Sequence, residues 1–126
     1  MQELNIRNYA HIGDAVYEVF VREKIILLTS NSNKLHKYTV KFVNAQFQTN
    51  LLELLNDFLT EEEKDLARRA RNIPTSVAKR INHSLHRQAT AIEVLFGYNY
   101  IHDKNRYNEL LSFIESKIDF EKEVKE

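Results

Sequence analysis

Apolar positions along this chain recur at helical spacing rather than in the alternation of strands. Ile12, Val16, Val19 and Phe20 follow one helical face, extended by Val21 toward Leu28. Thr29-Ser30-Asn31-Ser32-Asn33 then breaks the pattern with residues suited to caps and turns. Leu35, Tyr38, Phe42, Ala45, Leu52 and Leu55 predict a long second helix, bent near Thr49. Thr60 and Glu63 form a capping-box pattern, and Glu61 and Glu62 suit the positive end of the helix that follows, predicted to run to about Asn72. Residues 73–82 hold the sole proline and read as a loop. A further helix is predicted over Ser84 to His102. A last one starts near Lys104, with Tyr107, Leu110, Leu111, Ile114 and Ile118 turned inward and a frayed end over 121–126. The expected fold is all-α, a single domain over residues 1–126.

Two short runs break the logic of a plain amphipathic helix. Each of the two glycines lies close to a carboxylate among apolar residues, in Ile12-Gly13-Asp14-Ala15-Val16 and Glu93-Val94-Leu95-Phe96-Gly97. A glycine inside a helix costs about 1 kcal/mol relative to alanine, so it marks close approach of another backbone or a ligand. A carboxylate on an apolar face is costly unless something positive meets it. Residues three and four apart share a helix face. Ala10, Gly13, Asp14 and Tyr17 therefore line up, as do His86, Ala89, Thr90, Glu93 and Gly97. If the two helices cross at these small-residue faces, Asp14 and Glu93 meet. Two hard oxygen donors with water completing the shell suit Mg²⁺. The competing reading pairs each acid with an arginine such as Arg87 or Arg22.

Charge changes the picture further. The 126 residues hold 18 basic and 18 acidic side chains, yet the balance hides segregation. Residues 24–52 contain no acid but carry Lys24, Lys34, His36, Lys37 and Lys41. Residues 66–92 again lack acids and carry Arg68, Arg69, Arg71, Lys79, Arg80, His83, His86 and Arg87. Clustered bases are the footprint of a polyanion partner, with solvated helix faces as the bland alternative. The loop residues Lys79 and Arg80 bridge two arginine-bearing helices.

Other chemistry finds little support. Without cysteine there is no disulfide, thiolate metal site or nucleophilic thiol, and an intracellular home fits. His83 and His86 have i,i+3 spacing, but a zinc site lacks further ligands, and a phosphate-contacting role suits them better. No glycine-rich phosphate loop or nucleophile elbow occurs. The tyrosines and phenylalanines fall at core spacings. The N-terminus lacks a signal-peptide core, and no apolar run approaches the roughly 18–20 residues of a membrane span. A cytoplasmic protein that does not enter membranes is expected.

At these residues the chain resembles the ribonuclease III catalytic domain, whose signature helix carries Gly-Asp-Ala after an apolar residue, as in Ile12-Gly13-Asp14-Ala15. Glu93-Val94-Leu95-Phe96-Gly97 is similar to its second acidic element. The short branch, Mini-ribonuclease III, matches more closely, in Tyr17-Glu18-Val19, Leu35-His36-Lys37, Arg71-Asn72 and Thr90-Ala91-Ile92. The long enzymes carry further acids where this chain has Ala10 and Thr90, and the short branch shares both reductions.

The resemblance implies an endoribonuclease that cleaves double-stranded RNA, with Asp14 and Glu93 as catalytic and metal-holding residues. Mg²⁺ is the implied ion, with Mn²⁺ as a substitute. Arg68, Arg69, Arg71, Lys79, Arg80, His83, His86 and Arg87 are the expected RNA contacts. The length leaves no room for a separate double-stranded-RNA-binding domain, so the basic tracts are expected to supply affinity. Precursor ribosomal RNA (23S rRNA) is the implied substrate and a homodimer the implied assembly, with Tyr9, His11 and Ile12 near its contact. A non-catalytic RNA-binding module and a helical protein-interaction domain stay open as alternatives.

Overall fold

The computed structural model describes residues 2–73 and 83–125 and shows helices joined by short turns, with no β-strand among the described residues. In chain order they are α1 (Ile6–Ile25), α2 (Ser32–Val43), α3 (Ala45–Leu55), α4 (Glu61–Arg71), α5 (His83–His102), α6 (Lys104–Lys117) and α7 (Phe120–Lys125). Side chains fix most starts. Asn5, Asn31, Asn44 and Asp103 each accept a backbone N–H of the first turn they precede, satisfying donors that the helix itself leaves unpaired. The capping box of α4 forms as expected. Thr60 Oγ1 accepts from the Glu63 N–H at 3.1 Å, and Glu63 Oε1 accepts from the Thr60 N–H at 2.9 Å. Glu61 to Glu63 at one end and Arg68, Arg69 and Arg71 at the other complement the α4 dipole.

The central element is α5, against which α1, α3, α4 and α6 all pack. Ala91, Ile92, Val94, Leu95 and Phe96 are fully buried. A helix apolar on every side is one enclosed by its neighbours. The closest crossing is with α1 and runs through both glycines. A Cβ on Gly13 would overlap the Glu93 carbonyl and sit 3.0 Å from the Gly97 nitrogen; one on Gly97 would overlap the Tyr9 carbonyl. Backbone-to-backbone contact is why glycine stands there. Tyr17 stacks on Phe96 at 5.3 Å beside this crossing, and its hydroxyl donates to the Phe42 carbonyl.

Three expectations shift. The predicted long second helix is two, because Asn44 turns extended (ψ 159°) and its side chain caps α3, so the break lies there and not at Thr49. The core face of α1 is Tyr9, Gly13, Tyr17, Phe20, Val21 and Ile25, while Val19 is 56% exposed. The end expected to fray continues as α7, because buried Phe120 packs on Phe42 at 4.8 Å and Phe20 at 5.9 Å.

A buried polar cluster ties α4, α5 and α6 together. Glu63 accepts from Arg106 at 2.7 Å and from Asn99 Nδ2 at 3.1 Å. Arg106 also donates to the Phe58 carbonyl at 2.8 Å. Its guanidinium and the Thr60 N–H together hold the Glu63 carboxyl below its usual range against the opposing effect of burial.

Candidate active site

The crossing of α1 and α5 opens, on one side, into a cleft of about 340 Å³. Arg7, Ala10, His11 and Asp14 line it from α1, and His86, Arg87, Thr90 and Glu93 from α5. Ala70 and Ile73, at and just beyond the end of α4, close a third side. The spacing explains the geometry. Asp14 follows Gly13, and Glu93 lies one turn before Gly97, so the glycine contact that brings the backbones together also brings the two carboxyls together.

Asp14 and Glu93 face one another across the cleft, close enough for each carboxyl to act on the other. Two carboxylates at that separation cannot both be ionised without strong repulsion, so they share a proton. Glu93 carries it. Its pKa is pushed up to about 8, first by burial, then by the hydrogen bond to Asp14 and by the negative charge of Asp14. The arginine pairing weighed as the alternative is not what the cleft shows. Arg22 pairs with Glu18 at 3.3 Å, and among the described residues no ion pair of Arg22 or Arg87 with Asp14 or Glu93 is present.

The donor set fits a divalent cation in a restricted way. Two acidic side chains converge and repel, which a cation would relieve, and both offer hard oxygens. No group of three or more histidine, aspartate or glutamate side chains suited to a metal occurs among the described residues. Such an ion would therefore keep several water ligands. Ala10 adds no ligand, and the Thr90 hydroxyl donates to the His86 carbonyl at 2.9 Å.

Of the basic residues expected at the RNA, His86 and Arg87 lie on the cleft. Arg68 and Arg69 are exposed on α4 and engaged with Asp65, at 2.7 and 3.3 Å, and Arg69 also reaches Glu3 at 3.8 Å. Arg71 closes α4, near the Ala70 and Ile73 wall. Lys79 and Arg80 lie outside the described residues, as does the side chain of His83, the first residue of α5. Arg7 and His11 were not expected here. The signal was available in the spacing, since Arg7 and His11 stand two turns and one turn before Asp14. Tyr9 is fully buried, its hydroxyl bound to His102 Nε2 at 2.5 Å and accepting from the Leu4 N–H at 2.7 Å, so it is no candidate for a contact between copies.

An all-helical domain with paired acids at a helix crossing and a basic rim has the outline of a hydrolase acting on a polyanion, and comparison with known proteins makes this specific. The Ribonuclease III domain model matches residues 7–104, and the chain belongs to the ribonuclease III family, as an endoribonuclease of its short Mini-ribonuclease 3 branch. It is 37% identical over 115 residues to Mini-ribonuclease 3 of Synechocystis, covering 91% of this chain and 80% of that one. It is 43% identical over 94 residues to Mini-ribonuclease 3 of Thermoanaerobacter, covering 73% of this chain and 66% of that one. A crystal structure of a Fusobacterium nucleatum protein superposes with a TM-score of 0.79 at 25% identity, covering 93% of this chain and 97% of that one. The family acts on double-stranded RNA and is generally dependent on a divalent metal. No described helix is long and apolar enough to cross a membrane.

Proposed function

We propose that this chain is a Mg²⁺-dependent endoribonuclease that cuts double-stranded RNA in precursor ribosomal RNA (23S rRNA) maturation, in the cytoplasm and as a homodimer. The observation that carries the reading is the convergence of Asp14 and Glu93 at the cleft beside the glycine crossing, with Glu93 pushed up to about 8 by burial and by Asp14. Asp14 and Glu93 hold the ion, Mg²⁺ or in its place Mn²⁺. When bound, such an ion activates water and stabilises charge on a phosphate oxygen. The protein's own contribution is placement. The glycine crossing fixes both carboxyls on rigid helices, and a bound cation would take the place of the proton on Glu93. His86 and Arg87 bring cationic or hydrogen-bonding groups to the RNA backbone beside the acids. Arg68, Arg69, Arg71, Lys79, Arg80 and His83 extend that contact along the duplex. A-form RNA presents phosphates and 2′-hydroxyls more readily than base edges, so recognition is mainly of shape.

The homodimer reading is supported by α1. Opposite its core face, Val19 and Ile26 are 56% and 62% exposed, and Ile12 is half-buried on the same side. Closed twofold dimers are the commonest soluble assembly, and one would present two acid pairs to opposite strands of a duplex. Purified protein incubated with duplex precursor RNA and Mg²⁺ tests the reading. Cleavage of both strands that disappears with EDTA and with Asp14→Asn is expected; intact RNA under all conditions would end it.

A further inference from the structure

Helix α2 breaks a rule that α4 obeys. On α4 three acids open the helix and three arginines close it, each set matched to the dipole. The first turn of α2 holds no acid and carries Lys34, with Lys37 three residues on, so its cations stand at the positive end. That placement costs the helix stability, and such local violations are expected at functional sites. Lys34, Lys37 and Lys41 recur at i, i+3 and i+7, one stripe about 10.5 Å long. Thr39 and Phe42 take the buried side of α2, and Lys34 and Lys37 are exposed. Residues 24–52 hold no acid that could neutralise them locally. Many cations elsewhere sit on acids, as Arg22 does on Glu18, Lys24 on Glu115 and Arg68 on Asp65. Among the described residues Lys34 and Lys37 are in no ion pair, and the Lys41 ammonium donates to the Glu123 carbonyl at 3.4 Å. The stripe lies outside the cleft but beside the same helix. Arg7 to Asp14 line the cleft from α1, whereas Arg22 and Ile26, about 12 Å or more farther along its axis, share a smaller hollow with Ser32, Leu35 and His36 of α2.

We infer that Lys34 and Lys37, with Lys41 behind them, form a second RNA-backbone contact, outside the cleft and apart from the bond that breaks. The identity of the polyanion rests on the proposed function. A row of unpaired ammonium groups complements closely spaced phosphates and reads no base, so it adds affinity for a duplex of any sequence. Its contribution appears in binding and its salt dependence, with turnover at saturation retained.

The test compares wild type, Lys34→Gln with Lys37→Gln, Lys34→Arg with Lys37→Arg, and the control Lys104→Gln with Lys117→Gln, which removes the same charge from exposed positions on α6. Binding to one labelled RNA duplex is measured in EDTA over a salt series, and cleavage in Mg²⁺. The α2 glutamine pair is expected to raise Kd about three- to tenfold and to flatten the slope of log Kd against log salt by roughly one to two. Cut position and kcat should be kept, and the melting temperature should equal that of wild type or rise slightly, since the lysines oppose the dipole. The arginine pair and the α6 control should bind like wild type. A Kd and slope for the α2 glutamine pair that match wild type or the control overturn the inference. So does unchanged RNA binding with lost binding to anionic phospholipid vesicles, which would assign the stripe to a membrane surface. Wild-type protein that neither binds nor cleaves duplex RNA would instead sink the proposed function, whereas wild type that does both, with the α2 pair indifferent, sinks this inference alone.

Discussion

Removing one of the two acids should make the metal-free protein more stable at high pH even as it removes activity. In the folded chain Glu93 stays protonated up to about pH 8, whereas unfolded it ionises from 4.5 upward. The folded state therefore holds an extra proton between those values, and stability falls as pH rises through them. Asp14→Asn removes the repelling charge and offers an amide that can donate to the Glu93 carboxylate. Glu93 then ionises at lower pH in the folded state. Burial is the largest cause of the shift and Asp14 supplies the next two, so removing the Asp14 charge recovers part of it, on the order of 1 kcal/mol. Below pH 6 Glu93 is protonated in both proteins and the variant gains nothing. Above pH 8 the full difference appears. For a domain of this size it raises the melting temperature by a few degrees. Thermal melts in EDTA at pH 6 and pH 9 measure it. In Mg²⁺ the order should reverse, because binding stabilises the wild type in proportion to RT ln(1 + [L]/Kd). A difference between the two proteins that is the same at pH 6 and pH 9 in EDTA would refute the proton-sharing argument.

Other consequences follow from the packing. Gly13→Ala places a Cβ against the Glu93 carbonyl, a backbone atom that cannot move aside cheaply; it should cost about 3 kcal/mol or more, seen as a lowered denaturant midpoint. Glu63→Gln leaves Arg106 half-partnered and should cost roughly 2–4 kcal/mol at pH 7. Because the folded pKa of Glu63 is lowered, the wild type's advantage is present above the ordinary carboxylate range and disappears as pH falls through the folded value, which urea titrations at pH 7 and pH 3 would show. Val19→Lys with Ile26→Lys puts two charges on the outer face of α1 and at the residue just past its end and should shift a dimer to monomer in light scattering while melting changes little.

Much of this arrangement is legible in the chain because it is local. Glycine, small residues and one acid at i,i+3 and i,i+4 spacing imply a close helix crossing with the acid at its edge, and Asp14 and Glu93 do meet there. The Thr60–Glu63 capping box is equally local. Harder to read are features set by partners distant in sequence. Arg106 meets Glu63 across 43 positions and Asn99 meets it across 36, and no spacing rule links them. Asn44 is ambiguous because asparagine sits tolerably in a helix yet caps one well. Periodicity places Val19 with Phe20 because they stand three and four residues after Val16, but the buried arc is set by where α5 lies. His11 was visible one turn from Asp14, but which way it faced depended on the opening between α1 and α5.

In the proposed function Asp14 and Glu93 act as one cation-holding pair. Isothermal titration of Mg²⁺ into the protein at pH 7, repeated in two buffers of different ionisation enthalpy, tests it most directly. Binding is expected with release of up to one proton per ion, since the proton held by Glu93 must leave, and that binding should be lost in both Asp14→Asn and Glu93→Gln. Binding without proton release, or unchanged in either variant, would contradict it.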